Sequence, residues 1–145
     1  MDHAAESARR AGTWRYALAL LSLLLAPGAV VAGEWTPRAW ADANTIELRT
    51  TAAGEGEHWF PVWIAVIDDQ VYVRLGTRAA GRVANNTTAP DLGVRINGQQ
   101  FDRVKGIPAP EAAERVAQAM AAKYWSDVLI RHFNHPLTMR LTPAQ

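Results

Sequence analysis

Apolar and polar residues alternate along several short stretches of the chain, and this pattern predicts strands. In residues 44–51, Ile46 and Leu48 share one side while Glu47 and Arg49 share the other, as in a half-buried strand. Residues 62–67 are almost continuously apolar, which is typical of a strand buried on both faces. Further strands are predicted at residues 71–75, 92–96, 100–105 and 137–141.

Polar turns separate these predicted strands. Asp68-Asp69-Gln70 joins the second strand to the third, and Asn97-Gly98 is a strong signal for a two-residue hairpin turn. A glycine-rich stretch, residues 53–57, separates the first strand from the second. Tight turns favour antiparallel pairing, because parallel strands need long crossover connections.

Two short helical segments flank the strands. Thr36 and Pro37 begin the first, since Thr caps a helix N-terminus and Pro fits the first helical position. Residues 77–88 form a loop with a second short helix, because they are too polar for a core strand and too few for a major helix.

The longest helix is predicted over residues 110–125. Val116, Met120 and Tyr124 recur there at four-residue intervals, and this apolar face is expected to pack on the sheet. Short strands with tight turns and few helices predict a mainly β fold with α, of the α+β class. The expected architecture is a small antiparallel barrel with helices plugging its ends.

Residues 1–32 have the parts of a secretory signal peptide. Arginines at positions 9, 10 and 15 precede the apolar run 17–26, and the small residues Val30-Val31-Ala32 offer a cleavage site. An apolar run of about ten residues is too short to span a membrane, which takes roughly 20. We therefore expect residues 33–145 to form a single exported domain, periplasmic or extracellular, with no stable membrane span after cleavage. An uncleaved N-terminal anchor is the alternative, and Arg9-Arg10 raises the twin-arginine export route.

Composition changes this picture little but excludes several functions. A chain of 145 residues, 49% of them hydrophobic, suits one compact domain. The net charge is only +1, so nucleic acid is not an expected partner. The chain has no cysteine, which excludes disulfides, thiolate metal sites and a thiol nucleophile. Serine-hydrolase, phosphate-loop and dinucleotide-binding motifs are absent from the sequence.

Five short motifs follow one another between residues 46 and 105. They are Glu47-Leu48-Arg49-Thr50-Thr51, Pro61-Val62-Trp63, Val71-Tyr72-Val73-Arg74, Gly81-Arg82-Val83-Ala84-Asn85 and Val94-Arg95-Ile96-Asn97-Gly98. Their order and spacing resemble the flavin-binding split-barrel superfamily of pyridoxamine-phosphate oxidase and the deazaflavin-dependent nitroreductases. Lys123-Tyr124 and the last strand more narrowly resemble an uncharacterised bacterial domain family within that superfamily.

The resemblance implies a small antiparallel split β-barrel that forms a homodimer and binds FMN or a deazaflavin between its two barrels. It also implies basic residues on the cofactor's phosphate. The implied activity is that of an oxidoreductase which passes hydride or electrons to a small acceptor, with the cofactor supplying the chemistry.

Four arginines are the candidate phosphate ligands. Arg49 and Arg74 are expected on the outward faces of adjacent strands, while Arg78 and Arg82 flank a helix start. Guanidinium groups and helix N-terminal amides together make a phosphate site. The alternative for these arginines is a solvated sheet edge balanced by acidic neighbours.

Four other residues complete the candidate site. Thr50 and Thr51 offer hydroxyl donors, Asn85 follows the arginines, and Trp63 offers an aromatic ring for stacking on a planar ligand. Trp63 has the alternative of packing in the core. Ala84 departs from the family, whose members often carry arginine just before the asparagine. This departure supports a second interpretation, a non-catalytic exported barrel that binds a small ligand or a protein.

A third interpretation concerns histidines. His132 and His135 have a spacing that fits one helical face, with His58 or Asp127 as a further ligand. Pro136 interrupts regular structure at once, and no carboxylate stands at a diagnostic offset, so no metal site is predicted. Haem binding through His132 or His135 is the remaining alternative, since some split-barrel relatives handle haem.

Overall fold

The computed structural model describes residues 33–124 and 137–145. Its strands are β1 (Thr45–Ala52), β2 (Gly56–Ile67), β3 (Gln70–Leu75), β4 (Asp91–Ile96), β5 (Gln99–Pro108) and β6 (Leu137–Pro143). They close into an antiparallel barrel in the order β1-β2-β3-β6-β5-β4. The predicted class, mainly β with α in a small antiparallel barrel, is confirmed.

The helical segments are the 3-10 turns Pro37–Trp40 and Pro110–Ala112 and the helices α1 (Thr77–Ala84) and α2 (Ala113–Lys123). The prediction of one helix over residues 110–125 was wrong at both ends. A 3-10 turn precedes α2, and α2 ends at Lys123 because the backbone of Tyr124 is extended.

Both predicted hairpin turns are confirmed. Asp68 and Asp69 have φ angles of 51° and 60°, and Asn97 and Gly98 have 47° and 77°. Positive φ at both central positions gives the primed turn that matches the twist of antiparallel strands. Gln70 belongs to β3 rather than to the turn.

Inward-facing side chains fill the barrel. Ile46 lies opposite Val62, and Leu48 lies opposite Val94, so alternate positions of neighbouring strands meet inside the barrel. Trp40, which ends the first 3-10 turn, is also buried. The core comprises Trp40, Ile46, Leu48, Val62, Ile64, Val71, Val73, Leu75, Leu92, Val94, Ile96, Val104, Met139 and Leu141.

Helix α2 packs on the outer wall of β2 and β3 rather than plugging an end of the barrel. Val116 and Met120 are buried against the outward side chains of Ala65 and Tyr72. The middle of β2 is therefore covered inside by the core and outside by α2, which explains its continuous apolar run.

Helix α1 does cover one end of the barrel, because Ala80 and Val83 pack on the core. The prediction that Arg49 and Arg74 lie on adjacent strands was wrong. Arg49 lies on β1 and Arg74 on β3, and β2 separates the two strands.

The predicted signal peptide, residues 1–32, lies outside the described residues. Among the helices of the described ranges, none combines the length and the apolar character that crossing a membrane requires.

Candidate functional site

A polar cleft opens at the end of the barrel that α1 covers. Its volume is about 540 Å³, and it is lined by Thr50, Ala52, Glu55, Gly56, His58, Arg78, Gly81, Arg82 and Asn85. One wall comes from the end of β1, the turn that follows it and the start of β2, and the other wall comes from α1. The cleft is therefore built where one hairpin, residues 50–58, meets residues 78–85.

Helical periodicity turns the polar residues of α1 towards this cleft. Arg78, Arg82 and Asn85 are four and three residues apart and share one face of the helix. Ala80 and Val83 occupy the opposite side and pack on the barrel core. Burial of the apolar face thus orients the arginines.

Ala84 lies away from the cleft face of α1. At about 100° per residue, position 84 is rotated by roughly 120° from Arg78, and Ala84 does not line the polar cleft. Ala84 itself therefore contributes no side chain to this cleft.

A second, more apolar cleft of about 570 Å³ adjoins the first. It is lined by His58, Phe60, Pro61, Gly76, Thr77, Arg78, Ala79 and Arg82. His58, Arg78 and Arg82 therefore border both clefts. The imidazole of His58 is stacked on the ring of Phe60, with 6.1 Å between the ring centroids.

One carboxylate shares the polar cleft with the arginines. An Oε atom of Glu55 lies 3.6 Å from a guanidinium nitrogen of Arg82. The ionisable residues that line the two clefts are Glu55, His58, Arg78 and Arg82. Two guanidinium groups face one carboxylate there, so the site carries a net positive charge that suits an anion.

Four of the predicted site residues meet in the polar cleft: Thr50, Arg78, Arg82 and Asn85. Thr50 is only 2% exposed and lies at the base, where β1 reaches the end of the barrel. Thr51, next in sequence, points to the other side of the strand. Its N–H donates to Oδ1 of Asn86 at 2.9 Å, and its carbonyl oxygen accepts the N–H of Thr87 at 2.8 Å.

Arg49 lies on the outer barrel wall and does not line either cleft. Its guanidinium forms ion pairs with Glu57 at 3.2 Å and Asp102 at 3.5 Å, and lies 5.4 Å from the ring centroid of Trp59. Gly93 makes this contact possible, because a Cβ there would lie 2.8 Å from the Cβ of Arg49. Arg49 is thus engaged with the barrel's own side chains.

Arg74 and Trp63 also lie away from the two clefts. Arg74 pairs across the strands with Thr138 of β6. Trp63 is stacked on Tyr124, with 4.8 Å between the ring centroids. Trp63 is five residues from His58 along β2, a separation of roughly 17 Å. The clefts under α1 therefore do not unite all of the predicted residues.

The sequence interpretation missed Glu55 and Phe60 as site residues, and it named His58 only as a possible further metal ligand. These three residues line the clefts. Strand periodicity contained a signal for two of them, because His58 and Phe60 share the inward face of β2 with buried Val62. Glu55 had no such signal, since its proximity to Arg82 depends on tertiary packing.

Of the three histidines considered as ligands, only His58 lies within the described residues. His132 and His135 lie outside the described residues. Within residues 33–124 and 137–145, no three His, Asp or Glu side chains form a group suited to a metal ion.

Three solved structures are similar to this chain. HutZ, the haem storage protein from Vibrio cholerae, aligns with a TM-score of 0.54 and 13% identity over 74% of this chain and 87% of that one. A domain-swapped dimer aligns with a TM-score of 0.53 and 11% identity over 69% and 80%. An F420-H2 dependent reductase aligns with a TM-score of 0.52 and 10% identity over 69% and 95%.

These similarities establish the fold. Together with the closed six-stranded barrel, they show the split-barrel fold that the resemblance implied. No family model matches the sequence, and a search of curated proteins finds no match.

Proposed function

We propose that the protein binds a phosphate-bearing flavin, FMN or a deazaflavin, in the clefts under α1. The observation that carries the proposal is the pair Arg78 and Arg82, which share one face of α1 and border both clefts. Guanidinium groups bind phosphate through charge-assisted hydrogen bonds. The hydroxyl of Thr50 and the amide of Asn85 add neutral polar groups to the same cleft.

The residues present fit both parts of such a ligand. The polar cleft offers cations for a phosphate, and the apolar cleft offers Phe60 and Pro61 for a planar ring. Volumes of about 540 and 570 Å³ fall in the range of small-molecule sites. Arg78 and Arg82 would hold the phosphate. His58, which borders both clefts, would lie between the phosphate and the ring.

The corresponding activity is that of an oxidoreductase that passes hydride or electrons to a small acceptor. A bound flavin supplies that chemistry, while the protein positions the ring and excludes water. A reductase that depends on reduced F420 is among the proteins with this fold. The role of this chain's own residues is therefore binding and orientation.

Assembly and location form part of the proposal. A similar structure is a domain-swapped dimer, which supports a homodimer, and light scattering of the purified protein should give twice the chain mass. The leader features of residues 1–32 support export. Fractionation of cells that express the full chain, with mass spectrometry of the N-terminus, should find Gly33 exposed by cleavage.

Absorbance and titration test flavin binding directly. Freshly purified protein should show flavin absorbance. If it does not, the fluorescence of added FMN or deazaflavin should be quenched on binding. Arg78→Gln with Arg82→Gln should weaken FMN binding by about tenfold or more, since two charge-assisted contacts are lost. Arg103→Gln is the control, because Arg103 pairs with Asp91 on another part of the barrel. Absence of flavin absorbance together with absence of quenching would refute the proposal.

Two other functions follow from particular observations. Similarity to a haem storage protein and the position of His58 beside the apolar cleft favour haem as a second ligand. A Soret band on haemin titration that His58→Ala, His132→Ala or His135→Ala abolishes would support it.

A protein that binds FMN but reduces no acceptor would support the non-catalytic, ligand-binding interpretation.

A further inference from the structure

The turn between β1 and β2 brings a carboxylate of the chain itself to the candidate phosphate site. Glu55 lies at the tip of this turn, between Gly54 and Gly56, whose φ angles are 82° and 73°. Glycine adopts such angles without strain. The turn therefore places Glu55 beside the last turn of α1, where it pairs with Arg82 at 3.6 Å.

The two partners of this ion pair differ in how firmly they are held. The side chain of Arg82 is 30% exposed, whereas that of Glu55 is 68% exposed. Arg82 belongs to a helix that packs on the barrel core, while Glu55 extends from a turn into solvent. An incoming anion can therefore replace the Glu55 carboxylate by rotation of that side chain, without movement of α1.

We propose that the carboxylate of Glu55 is an internal competitor at the phosphate-binding site, an inference that rests on the proposed function. Its carboxylate competes with a ligand's phosphate for Arg82. A free phosphate has only the two arginines and the neutral polar groups of the cleft with which to overcome this competition. A ligand that also buries a ring against Phe60 and Pro61 gains apolar contact in addition. Glu55 thus lowers the affinity for both kinds of phosphate by a similar factor, and the ring contact leaves the phosphate with an apolar group as the tighter ligand.

Glu57 provides a matched control two residues further along the chain. Its carboxylate lies on the outer wall and pairs with Arg49 at 3.2 Å. Glu57 is also exposed, with 59% of its side chain accessible. It does not line the polar or the apolar cleft. Glu55→Gln and Glu57→Gln therefore remove the same charge from the same hairpin, but only the first removes it from the cleft.

Titration calorimetry of the full-length protein with three probes tests this inference. In Glu55→Gln, FMN and inorganic phosphate should each bind about three- to tenfold more tightly, because a weak exposed ion pair and a nearby negative charge are removed. Riboflavin, which lacks the phosphate, should bind equally to wild type and Glu55→Gln. Glu57→Gln should match wild type with all three probes.

The outcomes separate this inference from flavin binding. Equal FMN affinity in wild type and Glu55→Gln would overturn the role of Glu55 and leave flavin binding intact. An equal gain for riboflavin, or the same gain in Glu57→Gln, would also overturn it. Tighter inorganic phosphate binding in Glu55→Gln without any FMN binding would support Glu55 as a competitor for phosphate and refute the flavin. No binding of any probe to any variant would refute both.

Discussion

The ring of Trp63 is stacked on the ring of Tyr124, with 4.8 Å between centroids and 11° between planes. The hydroxyl of Tyr124 lies 2.6 Å from the carbonyl oxygen of Asn44 and 2.8 Å from that of Ile64. The ladder between β1 and β2 ends at Thr45 and Trp63, so β1 supplies no partner for the next residue, Ile64. Tyr124 supplies one, and thereby fastens the end of α2 to the barrel.

We expect Tyr124→Phe to lower the free energy of unfolding by about 1–3 kcal/mol, because buried backbone groups lose a hydrogen-bond partner while the stacked ring remains. Urea denaturation measures this change. Tyr72→Phe is the control, since its hydroxyl donates to the side chain of Gln70 at 2.7 Å rather than to buried backbone. A loss in Tyr124→Phe no larger than in Tyr72→Phe would contradict this account.

Lys123 joins the same segments through its ammonium group. Its Nζ donates to the carbonyl oxygens of Ala41 at 2.9 Å, Ile64 at 3.4 Å and also Ala43. Lys123→Met should therefore cost about 1–3 kcal/mol of unfolding free energy at neutral pH. Lys105→Met, at an exposed position of β5, should change it little.

The contributions of Lys123 and Tyr124 to the free energy of unfolding should change with pH in opposite directions. Burial lowers the pKa of Lys123 from its usual 10.5, with Asp42 opposing the shift. The pH-dependent part of its contribution to stability, which is separate from the hydrogen bonds of the ammonium group, is therefore complete above pH 10.5 and is lost as pH falls through the lowered folded pKa. Burial raises the pKa of Tyr124 from 10.0, with the Ile64 hydrogen bond opposing. Its contribution is complete below pH 10.0 and is lost as pH rises through the raised pKa.

Unfolding measured across the alkaline range tests these signs. The free-energy difference between wild type and Lys123→Met should increase with pH, and that between wild type and Tyr124→Phe should decrease. Parallel slopes for the two variants would contradict the assignment.

Asn85 and Asn86 should respond in different ways to the same substitution. Asn86 is buried, accepts the N–H of Thr51 at 2.9 Å and donates to the carbonyl oxygen of Asp91 at 2.9 Å. Asn86→Asp places a charge there and removes the donor, so unfolding free energy should fall by about 2 kcal/mol or more. Denaturation in urea measures it.

Asn85→Asp is the matched variant. Asn85 is exposed and lines the polar cleft. The free energy of unfolding of the Asn85→Asp protein should therefore stay within about 0.5 kcal/mol of wild type. FMN should bind more weakly, because a negative charge enters the cleft. If Asn85→Asp lost stability and Asn86→Asp did not, the contacts assigned to the two residues would be wrong.

Local patterns predicted most of the barrel. Alternation located β1, the Asn97-Gly98 dipeptide located a hairpin turn, and the spacing of Val116 and Met120 located the buried face of α2. Each of these features depends on residues close in sequence. The prediction that helices plug both ends of the barrel was wrong for α2, which packs on the outer wall. A helix that covers a barrel end and a helix that covers the outer wall have the same 3.6-residue period of apolar positions, so periodicity does not distinguish them.

The candidate site likewise has features that local sequence predicted and features that depend on tertiary packing. Its arginines were predictable as residue types, and the i, i+4 spacing of Arg78 and Arg82 is enough to place them on one helix face. The side chains that share their cleft were not predictable. Arg49 was expected with them, yet it lies on the outer wall with Trp59, because β1 turns alternate residues to opposite sides.

The sequence by itself therefore determined the strands, the turns, the apolar face of α2 and the presence of an arginine pair. These depend on periodicity and on the conformational preferences of neighbouring residues. Only the tertiary structure decided that Glu55 meets Arg82, that His58 borders both clefts and that Trp63 stacks on Tyr124. Closure of the barrel and the docking of α1 and α2 bring these residues together, and such contacts leave no periodic signal in the sequence.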